Sequence, residues 1–266
     1  PSRFPGLLAV SVFALGCSSE TSTEEGEDNS LEAILDKGVF VMGLDDTFAP
    51  MGFRDNDNNL VGFDVDLAEA TIERLGVEIE LQPIDWGSKE LSLDSGEIDC
   101  IWNGFSITPA REEEVLFSKP YLANKQIIIT LEDSDMVSKE DFAGRVVGAQ
   151  LDSSGSDALE ADAEVMEVVE DVRKYGTYDE AFLDLIAGRI EAVVVDEVFG
   201  KYYADQRPGT FKVLEDDFGR EEYGIGFRME DKALKDEIDR IMDEMKADGT
   251  TAQISEEWFG EDIVLD

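Results

Sequence analysis

The sequence predicts an α/β protein, helices layered on a largely parallel sheet, and two stretches of chain predict it. In the first, Val39 to Leu44 is an apolar run of strand length, and Val77, Ile79 and Leu81 alternate with Glu78 and Glu80 as a second strand. Between them Val65, Ala68, Ile72 and Leu75 recur as one stripe of an amphipathic helix, which Gly76 closes. In the second stretch Val146 to Ala149 reads as a strand, and Thr177-x-x-Glu180 as a capping box. A helix over Ala181 to Ala187 follows, ended by Gly188, and Ala192 to Val195 is the next strand.

The remaining elements follow in order. Leu234, Ile238, Ile241 and Met245 mark a last long helix that Asp248-Gly249 stops, and Thr250-x-x-Gln253 starts a short one before Trp258. Asp55, Asp57 and Asn59 imitate the opening of a calcium loop. However, Leu60 and Asp66 stand where that loop needs glycine and glutamate, so a solvated hairpin turn is expected. No G-x-x-x-x-G-K-[ST] run is present, so this chain is not expected to hydrolyse a nucleotide itself.

Composition narrows the function. With 266 residues and 42% hydrophobic content, the chain can bury one large core or two smaller ones. Against 22 Lys and Arg stand 63 Asp and Glu, a formal charge of −41 that opposes any phosphate surface and makes nucleic acid an unfavourable partner. Such self-repulsion is relieved by salt, which near 1 M screens charges beyond about 3 Å. A salty exterior is therefore expected; an ordinarily acidic protein with solvated helix faces is the alternative. The chain has no His, which removes imidazole catalysis and His-ligated metals, and no cofactor or metal is expected. Cys100, inside the apolar run Ile98 to Trp102, reads as a small buried residue with no disulfide to the distant Cys17.

Leu7 to Gly16 is a mainly apolar stretch too short to span a bilayer but of signal-peptide length, and it leads through small residues into Cys17. It resembles a lipoprotein signal, in which the cysteine thiol is lipidated and the chain cut before it. A short core helix is the other reading. Ser18 to Ser30 holds no apolar side chain and suits a polar, acidic tether between an anchor and a folded body. The expectation is an extracytoplasmic protein held to a prokaryotic membrane through lipid alone.

The most specific segment is Asp99 to Tyr121, DCIWNGFSITPAREEEVLFSKPY. A strand runs into Asn103-Gly104-Phe105-Ser106, after which Thr108 is expected to cap a helix with Pro109 in first place and Arg111 in its first turn. A helix start offers unpaired N–H groups, Gly104 allows close approach, and Arg111 adds a planar fork suited to a carboxylate. A lone arginine here would otherwise pair with Glu114.

Gly104-x-Ser106-Ile107-Thr108-Pro109-x-Arg111, followed by Phe117-Ser118-x-Pro120-Tyr121, closely resembles the polar amino-acid-binding proteins of ABC importers, solute-binding family 3. The resemblance covers Leu31 to Gly260. It implies a type II periplasmic-binding-protein-like fold, two lobes with mainly parallel central sheets joined by two hinge strands. It also implies that Gly104, Ser106 and Arg111 hold a ligand α-carboxylate. Asp45-Asp46-Thr47-Phe48-Ala49-Pro50 matches the family's first loop, and Phe48 with Trp86 would sandwich the ligand side chain. Val61-Gly62-Phe63-Asp64-Val65-Asp66-Leu67 matches the opening of its first long helix.

In the second half, Val147 to Gly155 resembles the family's other anion-facing loop, with Ser153 and Ser154 as donors. Asp152 stands where glycine is usual. Asp196, at the end of Ala192 to Val195, matches the aspartate that binds the ligand ammonium, although an aspartate ending an apolar strand is also a common structural feature. Asp45, with Gln150 and Asn103, would meet the distal end of a cationic or amide side chain; Gly155 replaces a larger polar residue of some basic-amino-acid receptors.

The resemblance thus implies a monomeric, non-catalytic receptor that captures a free polar or cationic amino acid by lobe closure and serves ABC permease and ATPase subunits. The expected organisation is 1–17 signal, 18–30 tether, 31–126 plus 220–266 first lobe and 127–219 second lobe, with crossovers near Gln126 to Thr130 and Phe218 to Tyr223. An enzyme on the same fold, a cyclohexadienyl dehydratase with Asp45 or Asp196 as acid, is the alternative. The sensor domain of a signalling receptor is less expected, because the chain runs only to Asp266 after Trp258-Phe259-Gly260.

Overall fold

The structure is a computed structural model and describes residues 28–265. The signal and most of the tether, with Cys17, lie outside the described residues. From the start of the described chain, α1 (Ser30–Lys37) leads into β1 (Val39–Leu44) and then into a small antiparallel sheet of β2 (Thr47–Phe48), β3 (Gly52–Arg54) and β4 (Leu60–Val61). Helix α2 (Phe63–Leu75), β5 (Glu78–Pro83), α3 (Lys89–Asp94), β6 (Cys100–Ile101) and β7 (Leu116–Phe117) complete the first half. The long β8 (Leu122–Leu131) carries the chain into β9 (Val146–Gln150), α4 (Ser154–Ala161), α5 (Ala163–Val168), β10 (Asp171–Tyr175), α6 (Tyr178–Ile186), β11 (Ala192–Asp196) and α7 (Glu197–Asp205). The longer β12 (Phe211–Tyr223) returns it to β13 (Gly226–Phe227), α8 (Lys232–Asp248) and α9 (Thr250–Phe259).

Two five-stranded sheets result, ordered β5-β1-β6-β13-β7 and β10-β9-β11-β8-β12, one for each lobe of a type II periplasmic-binding-protein-like fold. Each has three parallel strands, but β13 and β8 pair antiparallel with both of their neighbours. The sheets are therefore more mixed than the expected mainly parallel ones, because the chain crosses between lobes on strands instead of helices. Gln126 to Ile129 pair with β11 inside the second sheet, so the crossing falls on Leu122 to Lys125, just before the apolar run that the core claims. At the foot of β8 and β12, Tyr223 bridges to Ser106 and Leu122 to Val264, tying both connecting strands to the first lobe.

The helical stripe packs as its spacing requires. Val65, Ala68 and Ile72 are buried against Phe40, Met42 and Leu44 of β1, while Leu75 is only partly covered. Burying such side chains gains roughly 1.5–3 kcal/mol each before entropy is counted. Gly76 adopts φ 86° and sends its N–H to Ile72 O, the left-handed cap that glycine takes without steric cost. In the second lobe the Thr177–Glu180 capping box forms on both sides and starts α6. Cys100 is buried and free, and Asp55 to Asn59 make the expected hairpin turn between β3 and β4.

Two local expectations fail. No α-helix follows Pro109: Arg111–Glu113 form a single 3-10 turn, because Val115, Leu116 and Phe117 favour extended backbone and Leu116 and Phe117 are drawn into β7 against β13. The last helix begins behind Gly249 and runs through Trp258 to Phe259, without a side-chain cap from Thr250.

Candidate functional site

Asp45, Phe48, Trp86, Asn103, Gly104, Ser106 and Arg111 from one lobe and Gln150, Ser153, Ser154 and Asp196 from the other line a single cavity between the lobes. Its volume is about 10 Å³, room for about one water. The lobes are in direct contact across it. Gln150 Nε2 donates to Asp45 Oδ2 at 2.8 Å, the Ser106 and Ser154 hydroxyls meet at 3.0 Å, and Arg111 Nη2 donates to Asp152 O at 3.0 Å. Phe48 stacks on Phe199 of α7 with centroids 5.2 Å apart. Trp86 packs edge-on against Phe105 of its own lobe, so the two rings of the expected sandwich each rest on other aromatics.

Arg111 is 8% exposed, and its guanidinium lies over the Phe105 ring. Nη1 donates to Ser106 O at 3.0 Å and Nη2 to Asp152 O; no hydrogen bond joins it to Glu114. Carbonyl oxygens orient the fork without cancelling its charge, which leaves it suited to a carboxylate. Asp152 presents that carbonyl from the left-handed region, φ 56°, a conformation Asp tolerates better than most side chains and one that explains why glycine is usual there. Its carbonyl also accepts from Lys89 Nζ at 3.2 Å. Lys89 is buried, bonded as well to Trp86 O, and burial followed by the nearby Arg111 charge pulls its ammonium below the ordinary lysine range.

Gly104 adopts φ 58°, and a Cβ there would stand 2.9 Å from the Phe48 ring, so the position requires glycine. Its N–H, however, is directed inward to Asp64 Oδ2 at 2.6 Å, not towards the cavity. Asp64 also accepts from Tyr121 OH at 2.8 Å, and complete burial pushes its carboxyl up to about 7 against the pull of these bonds. The carboxyl at the start of α2 thus anchors the Gly104 turn from beneath.

Ser153 differs from the expected ligand donor. Its hydroxyl caps α4, accepting from Ser156 N and donating to Gln150 O at 2.8 Å, and is consumed by that role. Asn103 holds the first loop instead of reaching out: its Oδ1 accepts from Asp45 N at 3.0 Å. Asp45 Oδ1 accepts from Thr47 N and Oγ1, and burial raises its carboxyl above the ordinary aspartate range.

At the far end, Asp196 Oδ1 accepts from Asn124 Nδ2 at 2.7 Å, Gln126 Nε2 at 2.9 Å and Tyr223 OH at 2.7 Å. Burial, and next the adjacent Glu221 carboxylate, push Asp196 up to about 7. Gly155 has a geometric consequence: a Cβ there would lie 2.5 Å from Gln126 Oε1, so glycine makes the room that Gln126 fills. Lys89, Asn124, Gln126, Tyr178, Glu221 and Tyr223 were not legible as site residues. Glu221 and Tyr223 lie within the expected crossover, but strand alternation does not say which of Glu221 and Glu222 faces inward. No cluster of acids or cysteine suited to a metal occurs among the described residues.

Residues 40–261 match the model of bacterial extracellular solute-binding proteins, family 3. The chain is 30% identical over 260 residues to the L-cystine-binding protein TcyJ of Escherichia coli K12, covering 97% of this chain and 95% of that protein. It is 29% identical to the arginine-binding extracellular protein ArtP of Bacillus subtilis, over 95% of each chain. A substrate-binding protein of an ABC uptake transporter from Streptococcus pneumoniae, solved with bound histidine, superposes with a TM-score of 0.87 at 36% identity, covering 90% of this chain and 99% of that one. By sequence and by fold, the chain belongs to the family 3 extracellular solute-binding proteins, whose relatives here are amino-acid-binding components of ABC importers.

Proposed function

We propose that this protein captures one free L-amino acid, polar or cationic, outside the cytoplasm and presents it to the permease of an ABC importer. The observation that carries this reading is the placement of the Arg111 guanidinium and the Asp196 carboxylate on opposite lobes, lining one cavity. A zwitterion supplies the complement to both, its carboxylate to Arg111 and its ammonium to Asp196. Only a closed cleft lets it reach both, where excluded water strengthens charged hydrogen bonds. With room for about one water between the lobes, an amino acid enters by parting them, and closure is the signal the permease reads.

Asp45 and Gln150 supply an acidic and amide end for a cationic or amide side chain, and the relatives named for cystine, arginine and histidine place the choice within amino acids. The proposal includes lobes exchanging near 126/127 and 219/220, a lipid anchor at Cys17, a monomer, and a salty exterior matched to the −41 charge. A thermal-shift screen of the natural amino acids in salt near 1 M tests it. At least one polar or cationic amino acid is expected to raise the melting temperature, and no shift with any of them overturns the reading.

One observation favours a second reading. A cleft carboxyl pushed up to about 7, as Asp196 is, holds a proton that an elimination could use. Turnover of prephenate or arogenate would establish that dehydratase-like activity; none is expected.

A further inference from the structure

Glu221 is a carboxylate in the cleft that the capture reading above does not use. It sits half-buried on β12, paired in register with Asn124 of β8, where the two connecting strands run side by side. Four donors from both lobes and the connecting strand converge on its Oε1: Ser106 Oγ at 2.7 Å, Asn124 Nδ2 at 2.6 Å, Gln126 Nε2 at 2.7 Å and Ser154 Oγ at 3.2 Å. The same Asn124 and Gln126 nitrogens donate to Asp196 Oδ1. Each of these two side-chain amides therefore spans both carboxylates.

The other charged and titratable groups around the pair do not neutralise it. Lys125 of β8 turns its ammonium to Glu197 of α7 and Asp217. Tyr178 of α6 and Tyr223 of β12 are phenols that burial holds above their ordinary range, so they remain neutral donors. Asp157 on α4 feels Arg111 and Lys89, and Arg111 itself is bound to the carbonyls of Ser106 and Asp152. Two carboxylates this close and shielded from water are not both ionised unless a cation joins them. An α-ammonium group is such a cation, and its three N–H bonds suit two carboxylates and the Ser106 hydroxyl between them.

Resting on the capture reading, we propose that Glu221 is a second ligand-contacting carboxylate. It shares the amino acid's ammonium with Asp196, and the ammonium displaces a single proton that the pair holds when no amino acid is bound. The balance is one zwitterion in and one proton out to solvent, with no covalent change. Binding therefore weakens about tenfold per unit as pH falls below the pair's titration, and is flat above it.

Calorimetric titration with L-arginine, L-lysine, L-glutamine and L-cystine, in buffers of different ionisation enthalpy from about pH 5 to about pH 8, tests this. For whichever of them binds, release of close to one proton is expected at the acid end. Glu221→Gln is expected to abolish that release and to weaken binding about tenfold at the alkaline end. Binding without proton release and with unchanged affinity in E221Q overturns the proposal while leaving capture standing. If none of the four binds, the capture reading fails for these ligands, and the carboxyl pair is decided separately by carbon-13 NMR of the ligand-free protein. There Asp196 is expected to titrate well above an ordinary aspartate in the parent and to fall towards it in E221Q; equal titration in both overturns the pair. Melting temperatures of parent and E221Q confirm that both are folded.

Discussion

At one end of the cleft the Arg111 guanidinium donates to two backbone carbonyls, while at the other the Asp196 carboxylate takes three side-chain hydrogen bonds and faces Glu221. Carbonyl groups carry dipoles but no charge, so the cationic end is aimed without being neutralised, at any pH a protein survives. The anionic end carries more potential charge than it can hold dry, and burial and Glu221 together keep a proton there. One end of this site thus supplies a fixed charge and the other a titrating one, and each variant below acts on that contrast.

The largest effect is expected from Arg111→Ala, which removes the guanidinium that the first lobe presents to the cavity. Affinity for the amino acid should fall by more than about 2 kcal/mol, over about thirtyfold, at every pH tried by calorimetry. Asp196→Asn should cost less, about tenfold, because Glu221 remains to meet the ammonium. Weaker binding by Asp196→Asn than by Arg111→Ala would reverse the contrast.

A smaller effect concerns stability. Asp64 and Asp196 are both raised to about 7, above the unfolded aspartate value, so the native state keeps protons that the unfolded chain has lost. Their contribution is full below the ordinary aspartate pKa and is lost as pH rises through about 7. The melting temperature of the parent should therefore decline more between about pH 5 and about pH 8 than that of Asp196→Asn; parallel curves would show that Asp196 does not titrate there. Smallest is Lys89→Met, which deletes one donor to Asp152 O across the cleft. It should loosen the closed form by about 1 kcal/mol, seen as a larger ligand-free radius in X-ray scattering and a few-fold weaker binding. An unchanged radius and affinity would show that Arg111 alone makes that contact.

The residues that were legible in sequence are those whose chemistry is local. Gly76 and Thr177 act within one turn of chain, and the stripe Val65, Ala68 and Ile72 needs only its own spacing, so each falls where the pattern predicts it. The cavity-lining set was legible through motif resemblance, and the structure brings all of its members together. Their individual bonds were not legible. Ser153 caps a helix and the Gly104 N–H points to Asp64, because each is settled by a partner that spacing does not reveal. Glu221 is the clearest case. It reaches Asp196 only because two strands distant in sequence lie in register, and no local pattern distinguishes it from its exposed neighbour Glu222. The helix expected after Pro109 failed for a related reason: the pairing of β7 with β13 outweighed the local start signal.

Which way round the cleft holds its amino acid is decided by a crystal structure of the protein with the amino acid that gives the largest thermal shift. The α-carboxylate is expected on the Arg111 guanidinium and the α-ammonium against Asp196 and Glu221. A ligand bound in the opposite direction, or one that leaves Arg111 on the carbonyls of Ser106 and Asp152 alone, would contradict the assignment of a fixed cationic end and a titrating anionic one.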